Sequence, residues 1–113
     1  MIEQEIEALV LEIKNSSHGM LISTAESCTG GMLASFLTSI AGSSSFFSHG
    51  IVSYSDKAKI DLLKVSEHTL SKYGAVSEEV ALEMAAGCML GSNIAISITG
   101  IAGPDGGSDN KPV

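Results

Sequence analysis

The sequence has no arginine and no tryptophan, and its basic residues are six lysines set against 13 acidic residues, for a net charge of −7. A nucleic-acid groove needs a basic stripe that releases counterions from phosphates. A membrane surface recruits the same kind of cluster. An acidic chain with scattered lysines offers neither, so no nucleic-acid binding and no membrane association are expected. Long apolar runs are also missing. The longest are a handful of residues, well short of the roughly 20 needed to cross a bilayer, and the opening MIEQEIEALV is acidic where a secretory leader is basic. Cysteine is scarce: Cys28 and Cys88 have neither the paired spacing of a zinc site nor the density of a disulfide scaffold. A reducing, cytoplasmic setting is expected. With aromatics at only 4%, the core must come from Ile, Leu, Val, Ala and Met, and twelve glycines point to close backbone packing.

What remains is enough for one domain, since 113 residues lie near the commonest domain size. Ile2, Ile6, Leu9, Val10 and Ile13 fall on one face of a helix. Asn15 to Gly19 break it, and Met20 to Ala25 reads as a first strand. Gly30 and Gly31 then turn the chain into a helical period, Met32 to Ile40, that ends at Gly42. Ile51 to Tyr54 reads as a second strand, with Ser55 and Asp56 placed to cap a helix from about Lys57 to Leu63. A short helix is expected from Ser66, a longer one from Ser77 to Leu90, and a buried strand over Asn93 to Thr99. Strands alternating with helices predict an α/β layered fold.

In open α/β sheets, ligands bind beyond the carboxyl ends of the strands. The turn Thr24-Ala25-Glu26-Ser27-Cys28-Thr29-Gly30-Gly31 lies at such an end. Its glycines allow close backbone approach, and N–H groups at a helix start suit an anion or a developing oxyanion. Ser27 is therefore a candidate nucleophile, although Glu26, Ser27 and Thr29 also fit ordinary helix capping. Two phosphate-binding patterns, GxxxxGK[ST] after any strand and GxGxxG after the first, are absent. His18, His49 and His68 fall in separate expected loops or helix starts, and no GxSxG elbow surrounds Ser27, so a Ser-His-acid triad lacks support. Cys28 with His49 as base is a weaker pairing, because a free cysteine is more often a small buried thiol. Tyr54, Asp56, Lys57 and Lys59 follow the second strand and open on the same sheet edge. A lysine becomes a base only if burial or a cationic neighbour lowers its pKa, and a neutral lysine beside a serine makes a nucleophilic pair. The competing reading gives both lysines to the solvated face of a helix. The loop Thr99 to Gly107 either binds a ligand or turns the chain.

Three segments in order, TAESCTGG at 24–31 with IAGSSSFF at 40–47, GIVSYSDKAK at 50–59, and GAVSEEVALEMA at 74–85 leading to SITGIAGPDGGSDNKPV at 97–113, resemble the C-terminal domain of the CinA family. These are competence- and damage-inducible proteins whose stand-alone members are nicotinamide mononucleotide deamidases. The resemblance implies a three-layer α/β/α sandwich on a mostly parallel or mixed sheet. It also implies hydrolysis of nicotinamide mononucleotide to nicotinic acid mononucleotide and ammonia, without cofactor or metal. Ser27 becomes the expected nucleophile and Lys59 the base, and Tyr54 is the third expected catalytic residue, with Lys59 or Tyr54 protonating the departing ammonia. N–H groups near Gly30 and Gly31 would hold the oxyanion. The remaining substrate contacts would come from Glu26, Thr29, Gly30, Gly31, Ser43, Ser44, Thr99, Gly100, Gly103 and Asp105. Members of the family continue through a further strand and helix carrying an arginine. The expectation is thus one domain, 1–113, truncated at its C-terminus, with an exposed sheet edge that favours a homo-oligomer. The alternative is a non-catalytic relative that binds nucleotide or serves as an oligomerising module.

Overall fold

A computed structural model describes residues 1–113. The order of elements is α1 (Ile2–Ser16), β1 (Ile22–Glu26), α2 (Met32–Leu37), a single 3₁₀ turn (Ser43–Ser45), β2 (Phe47–Val52), α3 (Asp56–Leu63), α4 (Glu67–Tyr73), α5 (Glu78–Cys88) and β3 (Ile94–Ile98). The three strands form one parallel sheet in the order β2-β1-β3, with Glu26 opposite Val52 on one side and Ile98 on the other. No helix is long and apolar enough to cross a membrane.

The layers follow from the alternation of side chains along a strand. All five residues of β1 are buried, because it is central and covered on both faces. Ile22 joins Val10, Leu37 and Phe46 under α1 and α2, whereas Ala25 joins Leu63, Val65, Val80, Met84 and Cys88 under α3 and α5. This is the expected α/β/α sandwich, and the strands present are all parallel. β3 is an edge strand, and Ile94 and Ile96 on it are each 39% exposed. Caps fix the helices that lie beyond the strand ends. Ser55 Oγ accepts from Ala58 N–H, Ser66 Oγ from His68 and Thr69, and Ser77 Oγ from Val80.

Two elements differ from the sequence reading. β2 starts at Phe47, not Ile51, and stops at Val52. Pairing with β1 draws His49 and Gly50 into the ladder despite their weak strand propensity, which tertiary contacts override, and Ser48 is the extra residue where the register shifts between Ile22 and Ser23. His49 is consequently a strand residue and not a loop one. One ring nitrogen lies 2.7 Å from the Cys88 carbonyl oxygen and the other 2.8 Å from Ser48 Oγ. α2 ends at Leu37 and does not run to Ile40, because the Thr38 and Ser39 hydroxyls donate back to the carbonyls of Ala34, Ser35 and Phe36.

Candidate active site

β1 delivers Ser27 to the crevice between β1 and β3. The Ser27 N–H donates to Ile98 O at 2.9 Å, which extends that ladder one step past Glu26. Successive connections leave β1 toward β2 on one side and arrive at β3 on the other, so this crevice is the topological switch point of the sheet. The loop after β3 closes on it, where a Cβ on Gly100 would lie 3.1 Å from Cys28 Sγ.

Lys59 arrives from the opposite strand. Ser53 N–H donates to Glu26 O at 2.8 Å, the chain leaves β2, and the Ser55 cap starts α3 so that Lys59 turns inward in its first turns. Lys59 is 1% exposed. Its Nζ lies 3.0 Å from Ser27 Oγ, 3.1 Å from Ser53 O and 3.3 Å from Tyr54 O. The nearest carboxylate, Asp56, is 4.0 Å away and two-thirds exposed to water. Burial pushes the Lys59 amine below the ordinary lysine range, and Asp56 and Cys28 only partly oppose it. The neighbours suit a neutral amine. In the structure Nζ donates to Ser27 Oγ as well as to the two carbonyls; once deprotonated, its two N–H groups would satisfy the carbonyls and leave the lone pair for the Ser27 hydroxyl proton. The solvated-lysine reading fails for Lys59 and holds for Lys57, which pairs with Asp61 on the surface.

Glu26 is 1% exposed and organises the turn. One carboxylate oxygen accepts from the Thr29 hydroxyl at 2.6 Å and from Leu33 N–H at 2.9 Å, and the other accepts from Ala34 N–H at 2.9 Å. Burial alone would raise its pKa. The bonds from Thr29, Ala34, Leu33 and Gly31 outweigh burial and hold the carboxyl below its ordinary value of 4.5. Glu26 and Thr29 thus cap α2 from inside the fold. Replacing Glu26 with glutamine sets an amide NH₂ against one of these donors, and a loss of about 2 kcal/mol is expected. Urea denaturation at pH 7 tests this. The wild-type advantage should fade as pH falls through 4.5, where the unfolded carboxyl protonates. An unchanged midpoint would refute the capping role.

Other sequence-predicted residues divide. Tyr54 contributes its carbonyl, while its ring is 67% exposed and its hydroxyl makes no hydrogen bond. Gly30 N–H is occupied by Ser27 O at 3.1 Å, and Gly31 opens α2 at φ 106°, a backbone that favours glycine. The N–H groups of Cys28 and Thr29 have no partner in the chain and are the free donors next to Ser27. Thr99 Oγ1 donates to Ala75 O at 2.9 Å, and Gly103 and Asp105 lie further out in the loop. Ser43 and Ser44 are not brought to the pair. They precede β2 at the amino end of the sheet, and the Ser43 hydroxyl donates to Ile40 O.

The model of the CinA C-terminal domain matches residues 3–113. The chain belongs to the CinA C-terminal domain family. This CinA domain is 51% identical over 117 aligned positions to nicotinamide-nucleotide amidohydrolase PncC of Enterobacter agglomerans, covering 100% of this chain and 71% of that protein. It is 62% identical to a CinA-like protein of Chloroherpeton thalassium over 86% of this chain, but spans only 24% of that relative's length. Among solved structures, the competence/damage inducible protein CihA from Agrobacterium tumefaciens superposes with a TM-score of 0.90 at 49% identity, over 96% of this chain and 68% of that one. The competence damage-inducible protein A from Klebsiella pneumoniae gives 0.86 at 40% identity, over 97% and 69%.

Proposed function

We propose that this CinA domain is an amidohydrolase that converts nicotinamide mononucleotide to nicotinic acid mononucleotide and ammonia. The observation that carries the reading is the Ser27 Oγ to Lys59 Nζ contact of 3.0 Å, made by an amine whose pKa burial lowers. Ser27 Oγ attacks the carboxamide carbon as Lys59 takes its proton, and the carbonyl oxygen becomes an oxyanion held by the N–H groups of Cys28 and Thr29. Collapse breaks the C–N bond, and Lys59 returns the proton to the departing nitrogen, which leaves as ammonia. Water, deprotonated by Lys59, then attacks the acyl-enzyme and releases the acid and Ser27. All steps are performed by side chains and backbone of this chain, with no cofactor in the scheme. Tyr54, exposed at the mouth, and the 99–107 loop are assigned to substrate contact, whereas Glu26 and Thr29 are assigned to holding the turn.

The test is release of ammonia and nicotinic acid mononucleotide from nicotinamide mononucleotide by the purified chain. Product is expected to form at a steady rate proportional to protein. A folded chain that binds the nucleotide saturably and yields no product would refute catalysis and leave a binding module.

A further inference from the structure

Ser53, whose carbonyl accepts from Lys59 Nζ at 3.1 Å, also carries a hydroxyl that the scheme above does not use. The residue is wholly buried, and its Oγ has no hydrogen-bond partner. Its backbone is clamped at both ends, N–H on Glu26 O at 2.8 Å and carbonyl on Lys59 Nζ at 3.1 Å. Such a hydroxyl is destabilising where it stands, because burial removes its water without replacing it. Each buried polar group left unsatisfied calls for an explanation, and a catalytic role is one of them.

The proton inventory of Lys59 shows when a partner arises. The neutral amine has two N–H groups, and Ser53 O and Tyr54 O accept both. After proton transfer it has three, and the third initially faces Ser27 Oγ. Once that oxygen is bonded to the acyl carbon it is a poor acceptor, so the ammonium is short of one. We infer that the Ser53 hydroxyl is a positioning group which rotates to accept the third N–H of Lys59 while Ser27 is acylated, and which holds the ammonium until the proton is passed on. This rests on the Ser27–Lys59 reading, and Ser53 itself touches neither substrate nor Ser27.

The experiment follows modification of Ser27 by a fluorophosphonate, read by intact mass. The serine oxygen bonds to phosphorus, fluoride leaves, and Lys59 retains the proton, so the step needs no nucleotide. Ser53→Ala is expected to slow labelling about tenfold, the factor that one ordinary hydrogen bond supplies, while its thermal midpoint stays equal to or above that of the unaltered chain. Ser53→Cys fills the same space with a weak acceptor and should label as slowly as Ser53→Ala. Labelling of Ser53→Ala at the unaltered rate, recovery in Ser53→Cys, or slowing matched by a fall in midpoint would each overturn the role of Ser53. Two controls separate this from failure of the underlying reading. Ser27→Ala must abolish labelling, and the unaltered chain must label far faster than free serine. If either control fails, the Ser27–Lys59 pair falls and the Ser53 proposal falls with it.

Discussion

Ser27→Ala is expected to reduce ammonia release from nicotinamide mononucleotide by on the order of 10⁴-fold or more, because no other hydroxyl shares the bond to Lys59 Nζ. Lys59→Met should lower it by roughly 10²–10⁴-fold, the range for loss of a general acid–base group. The pH dependence identifies the lysine. Activity should rise with pH as Lys59 loses its proton, with the acid limb centred below the ordinary lysine value of 10.5, and no such limb should remain in Lys59→Met. Stability carries the same signature. A buried lysine with a lowered pKa binds fewer protons folded than unfolded, so the unaltered chain should gain stability as pH rises toward 10.5. The gain should vanish in Lys59→Met. A flat difference between the two proteins across that window, measured by urea denaturation, would show that Lys59 is charged in the folded state and is not the base.

Gly87→Ala is expected to destabilise the fold by about 3 kcal/mol, although alanine is favoured over glycine in a helix interior by about 1 kcal/mol. Gly87 lies on α5 where the helix crosses the carboxyl end of α3. A Cβ there would fall 2.6 Å from the Leu63 carbonyl carbon and 2.9 Å from its Cα, and closer still to the carbonyl oxygen. These are backbone atoms at the end of a helix, so they yield only if α3 moves as a unit. α3 also carries Lys59, and any variant population that folds should show reduced Ser27 reactivity. A denaturation midpoint equal to or above the unaltered one would mean that the two helices have room to part.

Much of this arrangement was legible in the sequence because it is written locally. Ser55, Ser66 and Ser77 each stand just before a helix they cap, and Gly30-Gly31 marks the turn after β1. The strand-then-glycine pattern makes Ser27 a candidate, although the turn alone favours helix capping. The structure divides the two roles: Glu26 and Thr29 hold the helix start, and the Ser27 hydroxyl meets Lys59. The Ser27–Lys59 contact itself joins residues 32 positions apart and depends on β2 lying beside β1 in register. No local spacing encodes that, and the family resemblance supplied it. The start of β2 is not written locally for a related reason, since Ser48, His49 and Gly50 become strand through their neighbour. Ser53 leaves no mark in the sequence, because an unpartnered buried hydroxyl is defined only by where every possible partner lies.

The central position of β1 has a consequence for motion. Its residues are bonded to strands on both sides and covered on both faces, so its amides should exchange with solvent only when the whole molecule opens. The 99–113 segment has few regular hydrogen bonds and is expected to exchange first. Ser27 is therefore expected to hang from the last element to come apart, with the amides of the 99–113 segment exchanging on a shorter timescale.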